Sequence, residues 1–375
     1  MKVGILTLPL NTNYGGILQT YALQTLLMRM GHEVYVIERQ KELPIELPLY
    51  RIPFIYGKRI VKNILGRKCT IFYEQKVNRE QPFIRKYTDE FIRKYICLKR
   101  YNKLSSIKSN EYDAIVVGSD QVWRPNYFGI RDITQAYLDF AVGWDIKRIA
   151  YAASFGTEEW EYTLSQTKKC NRLLSLFDAV SVREDSGVDL CKKKLGVEAE
   201  HVLDPTMLLS KEDYINLFIS AHTPKSKGNL LCYILDETEE KNNLLKRIVD
   251  EKRLVPFSVK SKNDDVDSLI SDRVQPPLEQ WLRGFYDADF VFTDSFHACV
   301  FSILFNKPFI VYGNVSRGMS RFISLLNMFD LVDALYYENS GCILNFINFN
   351  WNKINSILEK KKEESICFLR KNVNK

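Results

Sequence analysis

Short apolar runs alternate with longer segments of helical periodicity along most of the chain. Residues 2–8 form a nearly continuous apolar run, which is typical of a parallel strand covered on both faces. Residues 17–30 have helical spacing and are followed by Gly31, which favours a helix that ends there. A second strand is predicted at residues 33–37. The chain therefore begins with a β–α–β unit.

The alternation continues in two series. The first has a predicted helix at residues 185–195, ended by Gly196, and predicted strands at residues 114–117, 148–152, 179–182 and 201–203. The second has predicted helices at residues 241–252 and 297–305 and predicted strands at residues 230–236, 255–259, 290–293 and 308–312. Such alternation predicts an α/β fold of two Rossmann-like domains with a cleft between them.

The length of 375 residues also suggests two domains, because it exceeds one ordinary hydrophobic core. The polar segment at residues 220–229 is the best linker candidate. The predicted domains are an N-terminal α/β domain at residues 1–222 and a C-terminal α/β domain at residues 229–345. Residues 41–110 interrupt the first series and are predicted to be an insertion, and residues 346–375 are predicted to form a helix that packs back on the body.

Composition narrows the class of protein. A hydrophobic content of 46% and a charged content of 26% are ordinary for a globular protein. The net charge of +7 fits an anionic small-molecule substrate, a membrane surface or weak nucleic-acid contact. None of the eight cysteines forms a CxxC pair, which disfavours zinc ribbons and thioredoxin-type chemistry. The first apolar run lacks a cleavage pattern and no apolar stretch is long enough to span a bilayer, so a cytoplasmic protein is expected.

Residues 51–68 form a basic segment with six basic side chains and no acidic one, interspersed with apolar and aromatic residues. Such a segment can lie on an anionic membrane surface, at the periphery of the membrane, and meet a lipid-linked substrate. The alternative is a helical insertion that packs on its own domain and keeps its charges in water.

The most informative stretch is residues 289–312, which predicts a strand, a sharp turn, a helix and a second strand. The turn holds Asp294, Ser295 and His297. Open α/β sheets bind ligands at the carboxyl ends of their strands, and a histidine there can move protons near neutral pH. His297 is therefore a candidate catalytic residue and Ser295 a candidate substrate-binding residue. The alternative is a helix cap with an incidental histidine in the first turn.

Polar residues follow other predicted strands in the same way. The turn of Asn13, Tyr14, Gly15 and Gly16 is like a phosphate- or sugar-binding loop, because paired glycines let the backbone approach a ligand beside a helix N-terminus. The alternative is a tight turn that needs glycine for steric reasons alone.

Ser119 and Asp120 come directly after the strand at residues 114–117, and Ser154 ends the next strand. Asp120 is a candidate for orienting or deprotonating a hydroxyl, and the two serines are candidates for substrate binding. The alternative for Asp120 is a helix cap.

Arginines are the candidate anion ligands. Arg183 lies between a buried strand and a helix, where its guanidinium can hold a carboxylate or phosphate through two parallel hydrogen bonds. The alternative is a surface ion pair with Glu184 or Asp185. Arg317, a second candidate, and Arg321 follow the last predicted strand.

Acidic residues give no strong metal signal. Asp265 and Asp267 have the spacing of a metal-binding DxD motif, but they lie among other acids in a polar loop and are expected to be solvated. No metal site is predicted.

Six motifs together resemble the polysaccharide pyruvyl transferase family. They are NYGGILQTYAL at residues 13–23, VGSDQVW at 117–123, AASFG at 152–156, SVRE at 181–184, VLDPT at 202–206 and TDSFH at 293–297. They occur in the family's order and span residues 1 to about 330. The family usually has glycine after the histidine, where this chain has Ala298.

The resemblance implies a fold like that of glycosyltransferase-B enzymes, with the acceptor on the N-terminal domain and the donor on the C-terminal domain. It implies transfer of the pyruvyl group of phosphoenolpyruvate to a hydroxyl pair of a cell-surface polysaccharide, such as an exopolysaccharide, or of its lipid-linked precursor. The product is a pyruvate ketal. The resemblance implies no metal, organic cofactor or nucleic-acid partner.

The residues alone leave two other functions open. One is a glycosyltransferase of the same fold that uses a nucleotide sugar, since fold does not decide function. The other is a non-catalytic glycan- or nucleotide-binding protein. Release of phosphate, of a nucleotide or of neither separates the three.

Overall fold

A computed structural model describes residues 1–39, 45, 47–67, 69–263, 265–313, 318–337 and 347–373. The first half of the chain builds a sheet from β1 (Lys2–Leu6), β2 (Glu33–Arg39), β3 (Leu98–Tyr101), β4 (Ala114–Val117), β5 (Lys147–Ala153), β6 (Ala179–Val182) and β7 (Glu200–His201). The strands pair in parallel in the order β3-β2-β1-β4-β5-β6-β7. Strand β4 is buried along its whole length, as its unbroken apolar sequence requires.

The helices of this half are α1 (Tyr14–Arg29), α2 (Ile52–Ile64), α3 (Tyr73–Ile84), α4 (Lys86–Tyr95), α5 (Pro125–Phe128), α6 (Leu164–Leu174), α7 (Asp185–Leu195) and α8 (Lys211–Ser220). Capping boxes begin α6 at Thr163 and α8 at Ser210. Gly196 ends α7 with a φ of +65°, a conformation that glycine adopts without steric cost.

The second half builds a smaller sheet from β8 (Leu230–Tyr233), β9 (Pro256–Phe257), β10 (Phe290–Thr293), β11 (Phe309–Tyr312) and β12 (Leu335–Tyr336). These strands are also parallel, in the order β12-β11-β10-β8-β9. The accompanying helices are α9 (Glu239–Lys252), α10 (Ile270–Arg273), α11 (Leu278–Asp287), α12 (Phe296–Leu304), α13 (Ser320–Met328) and α14 (Trp351–Val373). Two parallel sheets, each covered by helices, confirm the expected pair of Rossmann-like domains and the glycosyltransferase-B-like class.

Helix α14 crosses from the second domain to the first. The hydroxyl of Ser365 accepts a hydrogen bond of 3.0 Å from the backbone N–H of Leu203, and the ring of Phe368 lies 6.2 Å from that of Tyr151 on β5. The apolar face of the last helix therefore belongs to the core of the N-terminal domain.

The region predicted to be an insertion returns to the first sheet. Strand β3 pairs in parallel with β2 and forms an edge of the sheet. Its sequence, Leu-Lys-Arg-Tyr, is half polar because an edge strand is only partly covered, so the apolar signal that marks the central strands is missing. Within the described residues, no helix is both long and apolar enough to cross a membrane.

The domains touch through backbone as well as side chains. A Cβ on Gly318, which has a φ of +92°, would lie 1.8 Å from the carbonyl oxygen of Gly156. The hydroxyl of Tyr14 donates a 2.6 Å hydrogen bond to the carbonyl of Pro276. The two domains are thus in direct contact beside a cleft.

Candidate active site

The cleft of about 370 Å³ lies where each sheet reverses its strand order. In the first sheet this point is between β1 and β4, and in the second it is between β8 and β10. Connections after such neighbouring strands diverge to opposite faces and leave a crevice, which is the usual ligand site of open α/β folds. The first domain lines the cleft with residues 8–13, Gly16, Asp120, Gln121 and Tyr127; the second lines it with Tyr233, Leu235, Lys260, Asn263, Gln275, residues 294–297, Arg321 and Phe322.

His297 occupies the first turn of α12 and lies between the two domains. Its Nε2 is 3.6 Å from Oδ2 of Asp204, which follows β7 in the first domain. The other ring nitrogen faces the start of α1, where a Cβ on Gly15 would lie only 2.0 Å from Nδ1. Nε2 is buried, so His297 meets Asp204 away from water.

Asp204 is a fully buried carboxylate that gathers several donors. Its Oδ2 accepts from Nη1 of Arg183 at 2.9 Å and from the hydroxyl of Ser119 at 3.2 Å, while Oδ1 accepts from the N–H and hydroxyl of Thr206. Burial alone would raise the pKa of Asp204, but His297 and Arg183 outweigh it and hold that pKa well below its usual range. Asp204 is therefore ionised and fixed in place beside the imidazole.

Arg183 lies behind the cleft wall. Besides Asp204, its guanidinium faces carboxylate oxygens of Asp120 at 3.7 Å and Glu184 at 3.9 Å. Burial lowers its pKa, but these carboxylates more than compensate and raise it. The guanidinium also stacks 4.3 Å from the ring of Phe296, which separates it from the open cleft.

Arg321, on the first turn of α13, lines the cleft. Burial and the neighbouring charge of Arg183 lower the pKa of Arg321 to about 10. Its guanidinium lies 5.7 Å from the ring of Phe296. Asp120 and Glu184 act in the opposite direction on this pKa, so Arg321 lies near carboxylates as well as near Arg183.

Asp120 is held in a left-handed backbone conformation with a φ of +67°. Its carbonyl accepts from the N–H groups of Val122 and Ser154, which joins the ends of β4 and β5. Its Oδ2 accepts from the side-chain amide of Asn13 at 3.4 Å. Non-glycine residues in this region cost about 1–3 kcal/mol and cluster at functional sites, and aspartate is one of the few that tolerates it.

A family model described as polysaccharide pyruvyl transferase matches residues 13–316. The match covers most of the chain and includes the cleft residues from Asn13 to His297. This chain belongs to the polysaccharide pyruvyl transferase family. It is accordingly a transferase whose acceptor is a sugar or polysaccharide.

Solved structures with similar chain paths are more distant. The UDP-GlcNAc 2-epimerase of Neisseria meningitidis is 10% identical with a TM-score of 0.45, and 97% of this chain and 94% of that chain are covered. The glycosyltransferase SsfS6 of Streptomyces sp. SF2575 is 11% identical with a TM-score of 0.40, and coverage is 97% and 96%. At such scores the likeness gives no evidence on substrate or mechanism. No curated protein matched the sequence.

In this pyruvyl transferase family member, the predicted site residues fall into two groups. His297, Asp120, Asn13, Gly16 and Ser295 line the cleft. The others lie one layer behind it and are buried: Tyr14, Gly15, Ser119, Ser154 and Arg183. Arg317 lies outside the described residues.

The buried group supports the lining residues. Ser154 donates to Oε1 of Glu184 at 2.7 Å, and Ser119 donates to Asp204. Asp294 accepts from the backbone N–H groups of Leu235 and Asp236 and from Lys241, which fixes the turn before α12. The roles of the predicted site residues in substrate binding stay predictions.

Sequence reasoning assigned no role to Asp204, Lys260 or Tyr127. Asp204 lay inside the VLDPT motif, directly after a predicted strand, so its position carried the same signal as Asp120. Lys260 reaches the cleft from the loop after β9 and donates to the carbonyl of Leu235 at 2.6 Å. Nothing in the polar loop around Lys260 marked it in the sequence.

Both acids of the DxD motif are exposed. Asp265 accepts from the N–H of Asp267 and the hydroxyl of Ser268 and is exposed. Among the described residues, no group of three or more histidines, cysteines or acids has a geometry that could hold a metal ion.

Proposed function

We propose that this enzyme transfers the pyruvyl group of phosphoenolpyruvate to two hydroxyls of a sugar, on a polysaccharide or its lipid-linked precursor. Carbon 3 of the enol gains a proton, and one sugar oxygen bonds to carbon 2. The bond from carbon 2 to the phosphate oxygen then breaks, and phosphate leaves with the electron pair and one hydroxyl proton. The second hydroxyl adds to carbon 2 and loses its proton, which balances the proton taken up by carbon 3. The product is a cyclic ketal that keeps the carboxylate.

The placement of His297 supports this proposal most strongly. The reaction needs one group that gives a proton to carbon and another that takes protons from hydroxyls. His297 lines the cleft and is held by the ionised Asp204, a pairing that fixes the ring where it can move a proton.

The donor carries a phosphate and a carboxylate, which require positive partners. We propose Arg321 and Lys260 as cleft-lining cations, together with the unpaired N–H groups at the starts of α1 and α12. Ser295 and Asn13 offer neutral hydrogen bonds beside them. Arg183, the first predicted donor ligand, is assigned a positioning role because it holds Asp204 and faces Asp120.

Asp120 is proposed to orient or deprotonate the attacking hydroxyl. Its Oδ2 faces the cleft side occupied by Asn13 and Gly16, in the N-terminal domain expected to hold the acceptor. Placing the acceptor and donor on opposite walls lets the two substrates meet at His297.

A cytoplasmic location suits this assignment. Phosphoenolpyruvate is an intracellular metabolite, and the seven cysteines among the described residues are free thiols, as in a reducing compartment.

The decisive experiment supplies phosphoenolpyruvate with candidate sugar acceptors and follows phosphate release together with the methyl signal of the ketal by NMR. Both should appear in equal amounts. Release of a nucleotide from a sugar nucleotide would instead support a glycosyltransferase. Binding of glycan without release of either product would support a non-catalytic protein.

Replacing His297 with asparagine should lower turnover by about 10²–10⁴-fold, because an amide neither donates nor accepts a proton at neutral pH. Phosphate release is the measurement, and circular dichroism checks the fold. His222→Asn, which changes an exposed histidine, should behave as the wild type. A folded His297→Asn enzyme with the wild-type rate would remove His297 from the mechanism.

A further inference from the structure

Helix α2 presents apolar side chains to water. Phe54, Val61, Ile64 and Leu65 are 74%, 53%, 78% and 72% exposed, and no residue of the helix is buried. At 100° per residue these four positions fall on one face of the helix. We call them the apolar stripe. A contiguous patch of exposed apolar residues usually marks an interaction site, whereas single exposed apolar residues are normal.

Polar contacts on the opposite face hold the stripe outward. Arg59 forms a two-bonded ion pair with Glu74 of α3, and both its contacts are 2.7 Å. The side chain of Asn63 exchanges two hydrogen bonds with the backbone of Cys69. An ordinary surface helix turns its apolar face to the core, whereas α2 turns the apolar stripe to water.

Positive charge flanks the stripe. Lys58 and Lys62 are exposed on the adjoining face of α2, and Arg51 and Arg67 are exposed at its ends. No acidic residue occurs between residues 51 and 68 of the sequence. Glu74, the carboxylate that α2 contacts, is buried and paired with Arg59. The free charge of α2 is therefore positive.

We propose that α2 binds flat on an anionic lipid bilayer, with the apolar stripe at the boundary of the acyl chains and the four cations among the headgroups. An in-plane helix of this kind needs an apolar face bordered by Lys and Arg. A second copy of the chain is disfavoured as the occupant, because two such faces would bring like charges together. Each cation near an anionic surface strengthens binding about fivefold, and salt screens the effect.

This surface is connected to the cleft. Helix α3, on which α2 rests, pairs Glu80 with Arg273, and Lys76 donates to the carbonyl of Val266 at 2.5 Å. The same segment of the second domain contributes Asn263 to the cleft. Membrane binding would thus bring the cleft rim to the bilayer, where a lipid-linked sugar acceptor would be found. The proposal that α2 binds lipid does not depend on the proposed reaction, whereas the link to a lipid-linked acceptor rests on the proposed function.

The test is co-sedimentation of the full chain with vesicles of phosphatidylcholine, alone or mixed with phosphatidylglycerol, at low and high salt. Binding is expected to the mixed vesicles, with release at high salt. Lys58→Glu with Lys62→Glu should weaken the partition constant at least about 25-fold. Phe54→Ser with Ile64→Ser and Leu65→Ser should weaken it at least about tenfold, because the inserted area is lost.

Matched controls use the same chemistry elsewhere. Leu164→Ser removes an apolar side chain that is 83% exposed, and Lys193→Glu with Lys194→Glu reverses exposed charges on α7. These variants should bind vesicles as the wild type does. Because α2 buries no side chain, its variants should also keep the wild-type melting temperature and the wild-type rate on a water-soluble acceptor.

Three results would overturn the proposal. They are equal recovery with neutral and anionic vesicles, wild-type binding by both α2 variants, and a dimer in analytical ultracentrifugation that the serine variant abolishes. The last would assign the stripe to a second copy. Failure of the donor assay with vesicle binding intact would reject the transferase reaction and leave the membrane surface standing.

Discussion

Asp204 shows how one buried charge organises this site. A carboxylate removed from water is costly unless it is paired and hydrogen-bonded, and Asp204 has a guanidinium, two hydroxyls, a backbone N–H and an imidazole around it. These donors come from both domains. The residue that fixes His297 thus also joins the two halves of the site electrostatically.

Asp204→Asn should destabilise the protein by about 3–5 kcal/mol at neutral pH, because Arg183 loses its closest counter-charge. The folded-state pKa of Asp204 is depressed, so its contribution is present above the unfolded value, about 4, and is lost as the pH falls below it. Urea unfolding of wild type and variant should therefore differ most near neutrality and converge in acid.

Asp145→Asn, an exposed change, should stay within about 0.5 kcal/mol of the wild type throughout. A gap between wild type and Asp204→Asn that does not depend on pH would show that Asp204 contributes through packing, not charge.

Arg321→Gln should raise the KM for phosphoenolpyruvate by about 10- to 150-fold, the equivalent of about 1.5–3 kcal/mol for hydrogen bonds to a charged group. Steady-state kinetics measures this effect, and circular dichroism checks the fold. Arg247→Gln, on the exposed face of α9, is the control, and an unchanged KM in Arg321→Gln would exclude Arg321 as a donor ligand.

Sequence position alone identified the residues that follow central strands. His297 and Asp120 follow β10 and β4, whose uninterrupted apolar runs are easy to recognise, and both line the cleft. The pairing of Asp204 with His297 joins residues 93 positions apart, and no local pattern reports on such a contact. For the same reason the sequence did not show that Phe296 separates Arg183 from the cleft.

At the scale of elements, the starts of α1 and α12 meet head to head across the domain boundary. Gly15 permits this approach, because any side chain there would overlap the ring of His297. Glycine at this turn therefore serves the histidine, in addition to any role in approaching a ligand.

Gly15→Ala should lower kcat by about 100-fold with the fold retained, because a shift of about 1 Å at a catalytic group has that effect. The control Gly284→Ala places a Cβ at ordinary contact distance, 3.5 Å from Leu231, within α11. It should keep full activity and gain up to about 1 kcal/mol of stability. Wild-type kcat in Gly15→Ala would mean that the close approach does not position His297.

Elements with strong periodicity were predicted well. Strands β4, β6 and β10 and helix α7 have the predicted limits, since each has an apolar run or a glycine that defines its ends. Strand β3 was hidden by its half-polar edge sequence. The sequence left open whether the basic segment of α2 faces a membrane or packs on its own domain, because hydrophobic periodicity shows that a helix has an apolar face but not which way it points.

At the scale of the whole molecule, the chain passes between the domains twice. It leaves the first domain between α8 and β8 and returns between β12 and α14, which docks on β5 through Phe368. Two bodies joined by a single linker can rotate about any axis, whereas two separate crossings restrict rotation to the line that joins them. We therefore expect the cleft to open by a hinge motion that separates Gly318 from Gly156 and returns His297 to the same register with Asp204 at each closure.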